Sequence, residues 1–204
     1  MVCVFIDSVN LDQLDGVSAT AGPGVNDRGN PGSVIDMVHT PGEYVNSPTA
    51  GSFSDCTESA FMTIDLGTAY MVSGVTIWHY YGDDRAYCQQ RVSLSLSGAF
   101  AGEEYVAFDT GEANGPAESA DGNAFSFPAT VTQFVRHWSG RSTANEGVHF
   151  LEIDVYGDPS GVPMLAGGFG SASRPSPDSA AIAAGMVGRF VTVMHIVSSH
   201  TFLR

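Results

Sequence analysis

The segment from residue 133 to 157 constrains the fold most strongly, because it contains two strand-like runs joined by a polar loop. The first run reads QFVRHW and the second reads HFLEIDVYG. The second run alternates strictly: Leu151, Ile153 and Val155 point to one side, and the even-numbered residues 150–156 point to the other. The connecting sequence, SGRSTANEG, consists of small, turn-forming residues that are typical of an exposed loop. The segment therefore predicts two β-strands, the second with one face in a core.

Short apolar runs alternate with turn residues along most of the chain, and no long helical period interrupts them. This spacing predicts an antiparallel β-sandwich. The runs cover residues 61–66, 70–80, 91–97, 104–109, 124–127, 133–138 and 149–156. Alternation within them predicts a core between the two sheets that contains Ile64, Leu66, Val75, Ile77, Leu94, Leu96, Val135, Leu151, Ile153 and Val155.

Three short motifs occur in an order that points to a family. TIDLG at 63–67 is followed by VSGVTI at 72–77, and VYG at 155–157 closes the region. In this order they resemble the discoidin family, which includes the coagulation factor V/VIII C-terminal domains, the galactose-binding jelly rolls and the fucose-binding F-type lectins. The resemblance covers residues 17–157. It implies an all-β, galactose-binding-like jelly roll, that is, an antiparallel β-sandwich, followed here by an irregular C-terminal extension.

Changes in composition divide the chain into four segments. Residues 1–16 form an N-terminal entry segment whose alternation resembles an extra strand, and residues 17–157 form the discoidin-like sandwich. Residues 158–179 read as a Pro/Gly/Ser linker, and residues 180–204 as an apolar tail.

The apolar tail approaches the length of a membrane span between residues 180 and 198. Arg189 lies at the centre of this stretch, and a central arginine costs about 2.5–3.5 kcal/mol on insertion scales. A membrane span is therefore not expected. The tail is instead predicted to pack against a partner protein or a second copy, as in a multi-subunit assembly.

The net charge limits which classes of binding partner are expected. The chain has 22 acidic and 8 basic residues, and its formal net charge is −14. An acidic surface disfavours nucleic acid, whose binding depends on neutralising phosphates, and it disfavours a polybasic contact with anionic membranes. It is compatible with a cation, a neutral sugar or a basic protein, and also with a role in solubility alone.

The resemblance to the discoidin family implies a structural Ca²⁺ between an early loop and the last strand. Asp36 and Glu152 match the family's carboxylates, Thr40 offers a further oxygen, and the backbone carbonyl of Leu151 is the fourth candidate. Ca²⁺ prefers about six to eight such oxygens. Met37 stands where the family has glycine, which is a departure from the pattern. The alternative is that Asp36 caps a turn and Glu152 faces solvent.

The family's sugar site lies on loops at one end of the sandwich, and the loop HYYGDDRAYCQQR at 79–91 has residues suited to it. Aromatic rings stack on the C–H face of a sugar, while Arg and His bind its hydroxyls. The similarity to F-type lectins is loose, because Arg-x-Asp is absent from this loop. The alternative is that the same side chains order a long hairpin. The candidate ligand-binding residues are His79, Tyr80, Tyr81, Arg85, Tyr87 and Arg91.

A second basic and aromatic cluster lies in the run QFVRHW. Alternation places Arg136 and Trp138 on the same face of their strand. Arg136 is predicted to pair with Asp154 or Glu152 across the sheet, since opposite charges on neighbouring strands are favourable.

The three cysteines, Cys3, Cys56 and Cys88, cannot all pair within the chain. The family resemblance brings the loops of Cys56 and Cys88 to one end of the barrel, which suits a disulfide in an oxidising compartment. The alternative is two unrelated small hydrophobic side chains. Such a bond accords with an extracellular or organelle-lumen location.

The sequence has no nucleophile motif and no identifiable pair of catalytic carboxylates, so an enzyme is not expected. The predicted function is a non-catalytic binding module of the discoidin or lectin type, as in cell adhesion, that recognises a glycan or a protein surface. The alternative is a structural adaptor subunit of a large assembly, docked through its C-terminal tail.

Overall fold

The computed structural model describes residues 8–26 and 30–160. Strands dominate these residues. They are β1 (Val9–Asn10), β2 (Ser18–Ala21), β3 (Thr49–Ala50), β4 (Ala60–His79), β5 (Ala86–Cys88), β6 (Arg91–Ser95), β7 (Tyr105–Asp109), β8 (Asn114–Ala117), β9 (Asn123–Ser139) and β10 (Val148–Asp158). Two short 3₁₀ helices, Pro31–Ile35 and Pro41–Val45, lie between β2 and β3.

The strands pair antiparallel in the order β1-β10-β4-β9-β6-β7, with β2 beside β4 and β3 beside β10. A small second sheet joins β5 to β8. The long strands β4 and β9 change register between Asp65 and Tyr70 and again between Val72 and Gly74, where the pairing is irregular. Such irregularities bend a strand and let it serve both layers of a sandwich. The predicted all-β antiparallel jelly roll is confirmed.

Nine of the ten residues predicted for the core are buried. The exception is Leu96, which is 55% exposed. β6 ends at Ser95, so Leu96 falls beyond the strand, where the alternation no longer applies. The buried set also gains Leu11, Val34 and Phe150, which come from the N-terminal segment, the first 3₁₀ helix and β10.

The strict alternation predicted for β10 is wrong at its start. The register against β4 shifts between Phe150 and Glu152, so an additional residue is accommodated there. Phe150 consequently joins the core cluster with Ile153, although the two differ in parity. Glu152, on the side expected to be polar, is also fully buried.

The sandwich begins before residue 17. Val9 pairs with Gly157, and Leu11 is fully buried in the core. The Asp12 side chain is 3% exposed, and its Oδ1 accepts a hydrogen bond of 2.7 Å from the backbone N–H of Val155. The entry segment therefore contributes a short strand and a core residue to the sandwich.

Residues 1–7 and 161–204 lie outside the described part of the chain, and with them almost all of the predicted linker and the whole apolar tail. Within the described residues, no helix has the length and apolar character that a membrane crossing requires.

Candidate functional site

A cleft of about 590 Å³ lies between the second 3₁₀ helix, β3 and the loop at 142–147. A smaller cavity of about 260 Å³ shares three residues with it and extends it toward the loop after β4. Gly147 permits this arrangement, because a Cβ there would lie 2.9 Å from the carbonyl oxygen of Ala50. The residues lining the two cavities are Asn26, Tyr44, Thr49, Ala50, Gly51, Ser52, Tyr80, Arg85, Asn145, Glu146, Gly147 and His149.

Three aromatic rings meet where the two cavities join. The Tyr44 ring lies edge-on to Tyr80 at 5.4 Å between centroids and edge-on to His149 at 5.9 Å. Tyr80 and His149 lie 6.1 Å apart. Tyr44 is held by the second 3₁₀ helix and is 43% exposed, so it presents aromatic surface to a ligand.

Arg85 is held in place at the same junction. Its Nε and Nη2 each donate a 2.6 Å hydrogen bond to the carboxylate of Asp83, and its guanidinium lies 4.6 Å from the Tyr80 ring centroid. The hydrogen bonds to Arg85 lower the pKa of Asp83 and keep it ionised. Nη1 of Arg85 is buried and has no hydrogen-bond partner among the described residues. The guanidinium is therefore fixed in orientation where Arg85 lines the smaller cavity.

The loop at 142–147 is fixed by its own hydrogen bonds. The Ser142 hydroxyl oxygen accepts from the backbone N–H of Asn145 at 2.9 Å, and Oδ1 of Asn145 accepts from the N–H of Gly147 at 3.0 Å. These bonds fix the backbone at Asn145 and Gly147, which line the cleft. The cleft wall is therefore preorganised.

The structure divides the predicted ligand-binding set. Tyr80 and Arg85 line the smaller cavity, whereas His79 and Tyr87 are fully buried and cannot reach a ligand. The His79 and Tyr87 rings pack against each other, with their centroids 4.5 Å apart. The Tyr87 hydroxyl donates a 3.4 Å hydrogen bond to the carbonyl oxygen of Tyr80.

The two remaining candidates also lie away from the cleft. Tyr81 is not among the cavity-lining residues. Arg91 is on β6, where its guanidinium stacks 3.8 Å from the ring centroid of Trp138.

Sequence reasoning missed Tyr44, Asn145 and His149. The loop containing Asn145 was recognisable as exposed, but no local pattern places it beside Tyr80. These residues meet only because β10 pairs with both β3 and β4.

The region predicted to bind calcium contains a cluster of three carboxyl groups, of which only Glu152 was among the predicted ligands. Oxygens of Asp12, Glu152 and Asp154 all lie within 4.8 Å of one another. Glu152 Oε1 accepts a 3.2 Å bond from the backbone N–H of Met37, but its buried Oε2 has no partner among the described residues. Burial raises the pKa of Glu152 to about 8 and that of Asp12 to about 6.

The predicted side-chain ligands Asp36 and Thr40 are both exposed. Asp36 is exposed, and its Oδ1 accepts a 2.9 Å bond from the N–H of Val38, so it caps a turn as the alternative stated. Its charge still contributes to the raised pKa of Glu152, so it faces the same region. Thr40 is exposed at the start of the second 3₁₀ helix, and its side chain makes no capping bond. The side chain of Leu151 is buried, and its backbone carbonyl stays a predicted ligand.

The residues present fit a hard cation. Three carboxyl groups converge, and the buried Oε2 of Glu152 has no hydrogen-bond partner in the part of the chain that the structure describes. Oxygen donors of this kind are what Ca²⁺ prefers. Asp154 lies two residues from Glu152 on the same strand, so alternation predicts that the two side chains share a face. No sequence pattern places Asp12 beside them.

Cys56 and Cys88 form a disulfide, with their Cα atoms 5.7 Å apart. The bond ties the loop before β4 to the end of β5. Nε2 of Gln89 also donates to the backbone carbonyl of Cys56, which reinforces the same connection.

The predicted pairing of Arg136 with Asp154 or Glu152 is wrong. β9, which carries Arg136, lies between β4 and β6, while β10 lies on the opposite side of β4. Nε of Arg136 instead donates a 2.8 Å hydrogen bond to the hydroxyl of Thr63 on β4.

No protein-family model and no curated protein matches the sequence. Solved structures match at low identity. A family 89 glycoside hydrolase from Clostridium perfringens aligns with a TM-score of 0.57 and 17% identity, over 77% of this chain and 16% of that chain. A fucolectin from striped bass (Morone saxatilis) serum gives 0.55 and 16%, over 74% of this chain and 47% of that chain.

A pectin-binding carbohydrate-binding module aligns with a TM-score of 0.52 and 12% identity, over 70% of this chain and 90% of that module. The chain therefore matches nearly the whole length of the module but spans only 16% of the hydrolase. At these identities the likeness establishes the architecture. The described residues have the fold of a discoidin-type, galactose-binding-like domain.

Proposed function

We propose that this chain is a non-catalytic module that binds a glycan in the cleft beside Tyr44. The observation that carries the proposal is the junction of Tyr44, Tyr80 and His149 with the guanidinium of Arg85, which stacks on Tyr80 and lines the same cavity. An aromatic surface next to an oriented guanidinium donor suits the C–H face and hydroxyls of a sugar ring. The matched solved structures, which include a fucolectin and a pectin-binding module, support this choice of ligand class.

The lining of the cleft supports binding without catalysis. Glycoside hydrolysis generally uses a pair of carboxyl groups on either side of the scissile bond. Among the described lining residues, Glu146 is the only one with a carboxylate. This lining therefore favours binding over hydrolysis.

A glycan array followed by calorimetric titration tests the proposal. Tyr44→Ala should weaken binding of the best glycan about tenfold or more, equal to about 1.4 kcal/mol. Tyr105→Ala is a matched control, since Tyr105 is 42% exposed, Tyr44 is 43% exposed, and Tyr105 lies on β7 outside the cleft. Equal affinity of the two variants, or an array without any bound glycan in the presence and absence of Ca²⁺, contradicts the proposal.

We further propose that Glu152, with Asp12 and Asp154, holds a structural Ca²⁺. The support is the unpartnered buried oxygen of Glu152 within this cluster. The ion would stabilise the contact between β10 and the turn at Met37, whose N–H already binds Glu152. Such a role concerns stability and is separate from the cleft.

We also propose an extracellular or lumenal location, which the Cys56–Cys88 disulfide supports, because such bonds persist in oxidising compartments. The adaptor hypothesis depends on residues 180–204, which lie outside the described residues. It is tested by deleting residues 160–204. Loss of co-purifying partners with an intact sandwich favours the adaptor function, and unchanged partners contradict it.

A further inference from the structure

A face of the sheet, away from the cleft, combines two arginines with three aromatic rings. In the register of the sheet, Arg91 on β6, Trp138 on β9 and Phe61 on β4 are direct cross-strand neighbours. Arg136 lies two residues before Trp138, so its side chain emerges on the same side. Phe100 completes the group from the loop between β6 and β7. These five residues are called the arginine face below.

Both guanidinium groups stack on aromatic rings. Cζ of Arg91 lies 3.8 Å from the centroid of Trp138. Cζ of Arg136 lies 3.8 Å from the centroid of Phe100 and 4.2 Å from that of Phe61. Stacking of this kind fixes the plane of a guanidinium and leaves the N–H groups along its edge available for hydrogen bonds. The side chains are therefore preorganised for a planar anion.

The hydrogen-bonding capacity of the two arginines is largely unused. No carboxylate oxygen of the described residues lies within 4.0 Å of either guanidinium. Arg136 donates through Nε to Thr63, and Arg91 makes no side-chain hydrogen bond within the described residues. This is unexpected in a chain whose formal net charge is −14.

The nearest acidic side chains are committed to their own loop. Glu103 Oε1 accepts from the Ser95 and Ser97 hydroxyls and from the N–H of Phe100, at 2.5, 2.8 and 3.1 Å. The hydrogen bonds from the Ser95 hydroxyl, the backbone N–H of Ala101 and the Ser97 hydroxyl lower the pKa of Glu103 to about 2, so it stays ionised in this position. Glu104 accepts from the N–H of Gly102 at 2.8 Å. The same bonds that keep Glu103 in the loop also hold Phe100 over Arg136.

We propose that the arginine face is a second binding site, for the carboxylate or sulfate groups of an acidic glycan. Two stacked guanidinium groups offer the fork geometry that carboxylates and sulfates bind in a bidentate manner. The remainder of the protein is strongly acidic and repels densely charged polymers such as nucleic acid. A polysaccharide that carries one charge on each ring, with neutral hydroxyls between the charges, meets less of this repulsion.

Calorimetric titration with a galacturonate hexamer and with a neutral galactose hexamer tests the site at low salt. A sulfated hexasaccharide distinguishes sulfate from carboxylate as the preferred group. The galacturonate or sulfated hexamer should bind, more weakly at about 0.5 M salt because screening reduces the attraction of charges. Arg91→Gln and Arg136→Gln should each reduce affinity about tenfold. Arg91→Lys should retain part of it, because charge remains but the stacked fork is lost.

Two controls separate this site from the cleft and from a general loss of charge. Arg141→Gln removes the same charge elsewhere, since Nη1 of Arg141 donates to the backbone of Ser54, and it should leave affinity unchanged. A loss of affinity in Tyr44→Ala with full affinity in Arg91→Gln would place the acidic hexamer in the cleft instead, so failure here and failure of the cleft proposal are distinguishable. Melting curves establish that each variant is folded. If a glutamine variant does not fold, the wild-type protein provides the test. Its Trp138 indole NMR resonance should shift when the acidic hexamer is added.

Four further results overturn the proposal. The first is no binding of either acidic hexamer, and the second is equal loss in the Arg91→Gln and Arg141→Gln variants. The third is an oligoglutamate of equal charge that binds as tightly as the glycans, which would identify an acidic peptide as the partner. The fourth is an unchanged Trp138 resonance in the wild type on adding the acidic hexamer.

Discussion

Nε2 of His137 lies 3.1 Å from Nε2 of His79, and both side chains are buried in the core. Nδ1 of His137 faces the backbone carbonyl of Arg91 at 3.2 Å, and a carbonyl can only accept, so Nδ1 carries a proton. Nε2 of His137 then accepts from the N–H of His79. Nδ1 of His79 in turn lies 2.9 Å from Oε1 of Glu118, with one proton between them. His137 is therefore neutral in the folded state.

Acid should destabilise the domain through His137. Burial, followed by the charge of His79, places the pKa of His137 well below 6.5. A lowered histidine pKa gives stability that is complete above about pH 6.5 and declines as pH falls toward the folded-state pKa, by up to about 1.4 kcal/mol per pH unit. The free-energy difference between wild type and His137→Gln, from urea unfolding, should therefore narrow below pH 6.5. A constant difference from about pH 7.5 to 5 contradicts this expectation.

Calcium should stabilise the folded state through Glu152. Burial raises the pKa of Glu152 from 4.5 to about 8, so without metal its contribution to stability is largest at acid pH and declines as pH rises toward 8. Ca²⁺ at about 100 times its dissociation constant should add about 2.7 kcal/mol, more at about pH 8 than at pH 6, because protons compete with the ion.

Melting curves with calcium and with chelator provide the measurement. Glu152→Gln should remove both the calcium effect and the alkaline decline of the metal-free protein. Glu112→Gln is the control, since Glu112 is exposed on a turn. A calcium-dependent shift that survives in Glu152→Gln would exclude this cluster as the site.

Ile153→Ala should reduce the free energy of unfolding by about 2–5 kcal/mol, because Ile153 is 1% exposed and its loss leaves a cavity in the core. Leu96→Ala removes a similar volume at a position that is 55% exposed, and should cost less than about 0.5 kcal/mol. Chemical unfolding of both variants measures the contrast. Similar costs would mean that Leu96 packs against another part of the protein.

Replacing both Cys56 and Cys88 by serine should reduce the free energy of unfolding by about 2–4 kcal/mol. The disulfide links positions 32 residues apart, and such a crosslink limits the freedom of the unfolded chain. Reducing agent should lower the melting temperature of the wild type and leave that of the double variant unchanged. An equal response of both proteins would show that the bond does not contribute.

The Glu152 and Arg136 predictions show where local patterns stop being informative. Alternation put Glu152 on a polar face, but the register shift after Phe150 and the coverage by Asp12 made that face a buried one. Arg136 was assigned a partner on the next strand of the sequence, whereas the sheet places β4 between them. Neither the register shift nor the strand order can be predicted from a segment of a few residues.

The sequence by itself determined the strand-rich class, most of the core and the discoidin-like order of motifs, because side-chain alternation and turn residues act over a few positions. Tertiary structure alone decided which loop residues share the cleft, since Tyr44, Tyr80 and His149 are brought together by pairings between strands distant in sequence. It likewise decided that His79 is part of the core while Arg85, six residues later, lines a cavity. The physical reason is that burial and hydrogen bonding depend on all strands packed around a residue, and long-range pairing sets those neighbours.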